Sequence, residues 1–489
     1  MSSQIIDGLS PHLLWRRFYE ISQVPRPSKS EERIRLYLIN FAGQNNLKLK
    51  EDKTGNIVIQ IPPKPGFEKA PTVVLQSHID MVCEKNKEKD HDFLNDPITL
   101  VRDGEWIKAD GTTLGADNGI GVAAALAVVQ EDGFNHGPIE LLFTVDEETG
   151  LTGVNNLEKE FILGNTLLNL DTEEDGAFYV GCAGGVDTVG SFKIENEEIN
   201  KNFKSFSLFV TGLRGGHSGI NIADKRANAI KLIAYLLDKL KPFNYQLAHI
   251  QGGSKRNAIP REAEAVIFLN PDYDSKVREI INEFSLEAAL EFRTTDVGIK
   301  IEFEKKEAVD IKNAYKKGFT EKVINALIAM PHGVISMNPE IPELVETSTN
   351  LATINIDKNE LIIGTCQRSS IESEKNNIAR SIQAVFELSK AAVEFSDGYP
   401  GWQPNLDSKV LKLATRVFTN LFSKKPEIKA VHAGLECGIL ADRYPGIDMI
   451  SFGPTIQGAH SPDERVRIHD VDKFYRLLLA ILEKISLQK

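Results

Sequence analysis

The sequence predicts an α/β protein built on a mixed, largely parallel sheet flanked by helices, interrupted by an inserted α+β domain. Strand-type apolar runs alternate with helical runs from residue 57 to residue 171 and return near residue 447, the pattern of a parallel sheet with crossover helices. Between residues 187 and 398 the texture changes to half-exposed alternating strands and amphipathic helices. At 489 residues the chain also exceeds one ordinary hydrophobic core. The α/β domain is therefore expected in two parts, residues 1–186 and 399–489, with the insert at 187–398.

Taken in order, Leu14, Phe18 and Ile21 share one helical face, and the prolines of "VPRPS" end that helix. Ser28 and Glu31 have the spacing of a capping box that opens the next helix, carrying Ile34, Leu38 and Phe41. After a "DKTGN" turn, "IVIQI" is a strand. "TVVLQSHID" is a strand ending at His78 and Asp80, and "GTTLGADNGIGVAAALAVV" is a glycine-rich turn opening an alanine-rich helix. "IELLFTVDEETG" drives a buried strand into Asp146, Glu147 and Glu148; "TLLNLDTEEDG" ends a strand at Asp171; "GIDMISFGP" is a late buried strand followed by His460.

In the insert, strand "KSFSLFVTG", helix "RANAIKLIAYLLDKL", strands "YQLAHIQ" and "AEAVIFLN" and helix "SKVREIINEF" form a β-α-β-β-α unit. The order recurs in "VGIKIEFE", "EKVINALIAM", "NLATINI", "ELIIGTC" and "EKNNIARSIQAVFELSKAAV". This predicts a doubled unit, by element order and not by sequence identity.

A formal charge of -12 and a pI near 5.5 argue against a nucleic-acid partner, which would require clustered basic residues. The opening residues lack a basic start followed by an apolar stretch, and no run approaches the roughly 18 apolar residues of a membrane span. A cytoplasmic protein with no membrane partner is expected. The four cysteines are scattered without CxxC spacing, so any metal here must be held by histidines and carboxylates.

In open α/β sheets ligands sit beyond the carboxyl ends of the strands. His78, Asp80, Glu147, Glu148 and Asp171 all fall there. Taken singly, each would be a turn former or a solvated cap. Together they would cost several kcal/mol in repulsion and desolvation without a cation. Imidazole nitrogen with carboxylate oxygen and no thiolate suits a catalytic zinc, manganese or cobalt site. The rival reading of "GADNGIG" as a phosphate-binding turn fails on two counts: it lacks the Gly-Lys-Ser/Thr ending, and Asp117 would repel phosphate.

The ordered set "SHIDMV", "GADNGIG", "DEETG", "NLDTEEDG" and "GAHSPDE" resembles the di-zinc metallopeptidase family that includes carnosinase and peptidase T. "GLRGGHSG" and "GGSKRNAIP" match that family's lid, and "FYEISQVPRPSKSEE" its entry helix. "VHAGLECG", "YPGWQPN" and the enlarged insert are similar to its aminoacyl-histidine dipeptidase branch. The resemblance implies a zinc exopeptidase-like fold and two zinc ions bridged by Asp117. His78 and Asp171 would complete one site, Glu148 and His460 the other. It also implies a cis Asp117–Asn118 peptide, Asp80 as the carboxylate orienting His78, and Glu147 as the general base. Asp146 receives no role, and solvation is its expected fate.

In the lid, the resemblance makes His217 an oxyanion donor, Asn257 a substrate-positioning amide and Arg368 the partner of a substrate carboxylate. Glu436 is a candidate for a free α-ammonium. The implied activity is hydrolysis of dipeptides with a free amino terminus, aminoacyl-histidine dipeptides included. A tripeptidase or an N-acyl amino acid deacylase would share the metal ligands. A silent binding protein is the rival of another class, but it would have no use for Glu147. His217 and Asn257 lie in the first lid repeat and Arg368 in the second, so one chain is expected to complete its own site, and a homodimer through other surfaces is compatible with that.

Overall fold

Strand Val73–His78 is buried at every position, as a strand covered on both faces must be. In the computed structural model, which describes residues 3–306 and 311–488, it lies inside an eight-stranded sheet. The order is Lys48–Glu51, Ile57–Ile61, Ile139–Thr144, Val73–His78, Thr166–Asn169, Asp448–Ser451, Ala177–Cys182 and Glu427–Val431. Parallel pairings join the four central strands, from Ile139–Thr144 to Asp448–Ser451. The strands before them pair antiparallel, as does the join to Ala177–Cys182. The sheet is thus mixed as expected, with its parallel character at the centre. Its central strands end on a common edge, which gathers the residues that follow them.

Helix Ala116–Gln130 is buried over most of its length. Its alanines allow close approach to the sheet beneath and to helix His12–Ser22 beside it, whose buried face carries Leu14, Trp15, Phe18 and Ile21. Among the described residues, no helix is long and apolar enough to cross a membrane.

The chain separates into two units, one of residues 1–181, 404–430 and 435–489 and the other of residues 182–403 and 431–434. The joins thus lie a few residues outside those read from the sequence, at 186/187 and 398/399. The reason is local pairing: Cys182 and Gly185 exchange backbone hydrogen bonds with Trp402 and Tyr399. The short return of 431–434 is held by Ala183, whose N–H is shared between the carbonyls of Val431 and Ala433.

The second unit contains a nine-stranded antiparallel sheet. Its main path runs Lys300–Lys305, Lys204–Thr211, Ala263–Leu269, Gln246–Gly252, Val345–Asp357, Glu360–Ser369, Gly184–Lys193 and Ala392–Phe395. About the seam between Gln246–Gly252 and Val345–Asp357 the two halves correspond strand for strand. This corrects the expected duplication. Lys300–Lys305 does not head the second repeat; it pairs with Lys204–Thr211 and closes the first. The place of Lys204–Thr211 in the second half is taken by Gly184–Lys193, which pairs with Glu360–Ser369 along its length. Element order alone concealed this, because the heading strand of the second half comes first in the chain. Helices Ala229–Lys239 and Lys317–Ala329 pack against each other and contribute to the apolar core of this unit.

Candidate metal centre

The expected ligands converge. His78 closes its strand, and its Nε2 lies 3.1 Å from Asp117 Oδ1 and 3.3 Å from Asp171 Oδ1. His460 Nε2 lies 3.2 Å from Asp117 Oδ2 and 3.0 Å from Glu148 Oε2. Asp117 therefore offers one oxygen to each histidine. Two donor groups result, His78/Asp117/Asp171 and Asp117/Glu148/His460, with the donor atoms of each group within 4.8 Å of one another. His78, Glu147 and Glu148 form a further group of the same spacing.

Local structure explains the convergence. Asp117 and Asn118 have non-helical dihedrals at the head of the alanine-rich helix, and the peptide between them is cis, as the resemblance implied. Asn118 Nδ2 donates to Leu170 O at 3.0 Å and to the Asp171 carboxylate, so the turn fixes Asp171 as well. The turn is in turn anchored by Glu464, buried and accepting the backbone N–H groups of Leu114, Gly115, Ala116 and Asp117 at 2.7 to 3.2 Å. His460 sits with positive φ between short strands Ile456–Gln457 and Arg465–Arg467, which pair with each other.

Asp80 does more than the sequence suggested. It lies 3.4 Å from His78 Nδ1, a longer contact than a good hydrogen bond. Its oxygens accept from Ser28 Oγ at 2.7 Å and from the backbone N–H groups of Glu147 and Glu148 at 3.1 and 3.2 Å. Asp80 thus holds the backbone that presents both glutamates. This use of Ser28 overturns the capping box. Helix Glu32–Gln44 begins without a side-chain cap, and Glu31 accepts from Lys29 N and Asp146 N instead. Asp146 is likewise not solvated. It is 4% exposed, and its carboxylate accepts from the hydroxyls of Thr149 and Thr152, which closes the turn at positive φ.

The electrostatics separate the acidic groups. Glu31, Asp80 and Asp146 also lie close together, but named donors satisfy them. In the two donor groups one oxygen is not satisfied: buried Glu148 Oε1 has no hydrogen-bond partner among the described residues. Burial pushes Glu147 well above the usual carboxylate range, aided by Asp171 and Glu436 and opposed by His78. Burial raises Asp171 to about 6, and burial with the charges of Asp117 and Asp171 raises Glu173 to about 8. Asp117 moves the other way: hydrogen bonds from His460 and His78 outweigh its burial. An array that must take up protons in the absence of positive charge is one that a divalent cation fits. The N and O donor set, without thiolate, matches zinc, manganese or cobalt.

Glu436 is 1% exposed. One of its oxygens accepts from Gln76 Nε2 at 2.5 Å and Thr144 Oγ1 at 2.8 Å, while the other has no hydrogen-bond partner among the described residues. Burial brings its carboxyl to about 7. Glu464, Glu173 and Arg26 went unnoticed in the sequence. Buried Arg26 donates to Ile79 O at 3.1 Å and Asp80 O at 2.7 Å, and also to Gly115 O. Its cue is its place inside "VPRPS"; Glu464 lies in "GAHSPDE" and Glu173 in "NLDTEEDG", beside the expected ligands His460 and Asp171.

In the second unit, His217 and Asn257 line one cleft of about 910 Å³. His217 Nδ1 accepts from the backbone N–H groups of Gly219 and Ile220 at 3.2 and 3.1 Å. Burial and the charge of Arg368 lower it to about 4. The ring is therefore neutral at pH 7, with its proton on Nε2 and available to donate. The Asn257 side chain is exposed. Arg368 is buried, and its Nε donates to Ser218 Oγ at 3.3 Å. His432 Nε2 pairs with Ser348 Oγ at 2.7 Å.

A family model described as Peptidase family M20/M25/M40 matches residues 74–484. The chain is 38% identical over 483 residues to the cytosol non-specific dipeptidase of Escherichia coli, covering 98% of this chain and 99% of that protein. The crystal structure of aminoacylhistidine dipeptidase from Vibrio alginolyticus matches with a TM-score of 0.90 at 41% identity, covering 98% of each chain. Aminopeptidase PepT from Bacillus cereus is 17% identical and shares the fold, with a TM-score of 0.58 over 98% of this chain and 99% of that one.

Proposed function

Since the chain belongs to peptidase family M20/M25/M40 and is a hydrolase of peptide bonds, we propose that it is a cytosolic di-zinc dipeptidase acting on dipeptides with a free amino terminus, aminoacyl-histidine dipeptides among them. The observation that carries the metal assignment is Asp117, with one oxygen toward His78 and the other toward His460. The substrate assignment rests on the likeness to the Vibrio and Escherichia proteins over nearly the whole chain.

His78 and Asp171 would hold one ion, Glu148 and His460 the other, and Asp117 both. Such ions, when bound, acidify water and polarise a scissile carbonyl. Glu147, left free of that set, takes the proton of the attacking water and returns it to the leaving amine. Its raised affinity for a proton suits an acceptor that must later donate. His217 directs its Nε2–H to the oxyanion, Arg368 pairs with the substrate carboxylate, and Asn257 positions the peptide. Glu436, with one buried oxygen unpartnered, receives the α-ammonium.

The test is a panel of alanyl-histidine, its N-acetyl derivative, a tripeptide and an acyl amino acid, each assayed with zinc, manganese and cobalt. Free alanyl-histidine should be hydrolysed and the acetylated form refused. Preference for the acetylated form would establish the deacylase instead, and preference for the tripeptide the tripeptidase.

We further propose that one chain completes its own site. Arg368 ends the strand that corresponds to Ala263–Leu269 of the first half, where Asn270 follows. His217 follows Lys204–Thr211, whose counterpart Gly184–Lys193 leads into no "GGH". The two halves thus divide the lid functions. Mixing inactive His217→Ala with inactive Glu147→Ala under subunit exchange should restore no activity; shared sites would restore up to about a quarter of it by random pairing.

A further inference from the structure

We propose that Tyr399 is a positioning residue for Arg368, fixing its guanidinium so that the remaining donors meet the carboxylate of the substrate. This rests on the reading of Arg368 given above.

Arg368 is 5% exposed. Its Nη1 donates to Tyr399 Oη at 2.6 Å and its Nε to Ser218 Oγ at 3.3 Å. Both partners are neutral. Asp187, the carboxylate whose field reaches this guanidinium, is itself paired with Arg256 at 3.3 Å. A buried cation held by two neutral oxygens is costly unless an anion joins it. Arginine has five donors in a planar fork, and these two contacts account for one N–H of Nη1 and that of Nε. Because Tyr399 Oη accepts from Arg368, its own hydrogen is directed elsewhere. Burial pushes the phenol above its ordinary range, so that hydrogen stays in place.

Tyr399 is itself held unusually firmly. It exchanges two backbone hydrogen bonds with Gly185, at 2.8 and 3.0 Å, and its carbonyl accepts from Lys375 Nζ at 2.8 Å. A Cβ at Gly185 would lie 2.7 Å from the end of the phenol ring, and one at Gly434 would lie 2.8 Å from its edge. Neither position accepts a side chain while the ring stays where it is. The metal chemistry left "YPGWQPN" and the "HAG" of 432–434 unexplained. Their shared feature is this ring: one supplies it and the other makes room for it. A phenol anchored this way limits the rotamers of the arginine it contacts, which lowers the entropy lost when a carboxylate is bound in bidentate fashion.

The test compares Tyr399→Phe and Arg368→Ala on alanyl-histidine and on its C-terminal amide. Tyr399→Phe keeps the ring and its packing. It should raise KM for the acid about ten- to a hundredfold, the range of one hydrogen bond to a charged group, leaving kcat within about threefold and the amide unchanged. In the Arg368→Ala background it should add nothing. If Tyr399→Phe weakens acid and amide alike, or changes neither, the proposal is overturned while Arg368 keeps its role. If Arg368→Ala fails to erase the preference for the acid, the reading of Arg368 falls and the proposal with it.

Discussion

Replacing Glu147 with glutamine should lower kcat by about 10²–10⁴-fold, the usual contribution of a general base, while metal content stays that of wild type. The substitution preserves volume and the backbone N–H that Asp80 accepts, so the turn presenting Glu148 should be unchanged. What is lost is a group that can carry a proton from water to amine. Glu148→Gln is the control. Glu148 Oε2 lies 3.0 Å from His460 and its Oε1 is buried without a hydrogen-bond partner, so this variant should lose metal. Equal loss of metal in both variants, read by elemental analysis after dialysis, would show that the two glutamates do not divide the work.

The sequence made much of this centre legible because parallel strands impose a common direction. Once "TVVLQSHID", "IELLFTVDEETG" and "TLLNLDTEEDG" are read as neighbouring strands, their acidic ends must share one edge. What sequence could not show is which carboxylate is satisfied. Asp146, Glu147 and Glu148 are consecutive, yet one is bonded to two threonine hydroxyls, one has a raised proton affinity, and one faces His460. That partition depends on Ser28, Glu31 and Thr152, which come together only in the fold. Glu464 was hidden for the same reason: its four backbone donors lie about 350 residues earlier in the chain. The insert was misread at its second repeat because strand pairing there departs from chain order.

Asp117→Ala should remove both metals together and reduce activity about a thousandfold or more, since several kcal/mol of charge stabilisation are at stake and each tenfold is about 1.4 kcal/mol. The argument is geometric. Asp117 Oδ1 serves the group of His78 and Asp171, and Oδ2 the group of Glu148 and His460. Every other ligand belongs to one group of this pair, so Asp171→Ala or Glu148→Ala should weaken one ion more than the other and give two separable steps in a metal titration. Glu464 provides a second view of the same turn, because it holds the four N–H groups that place Asp117 without being part of either donor group. Glu464→Gln keeps the side chain's size but turns an NH2 toward two of those N–H donors, so it should loosen the cradle and weaken both ions, short of the loss in Asp117→Ala. A titration in which Asp117→Ala still binds one ion with wild-type affinity would mean that the two centres are independent, and Asp117 would then be a ligand of only one of them.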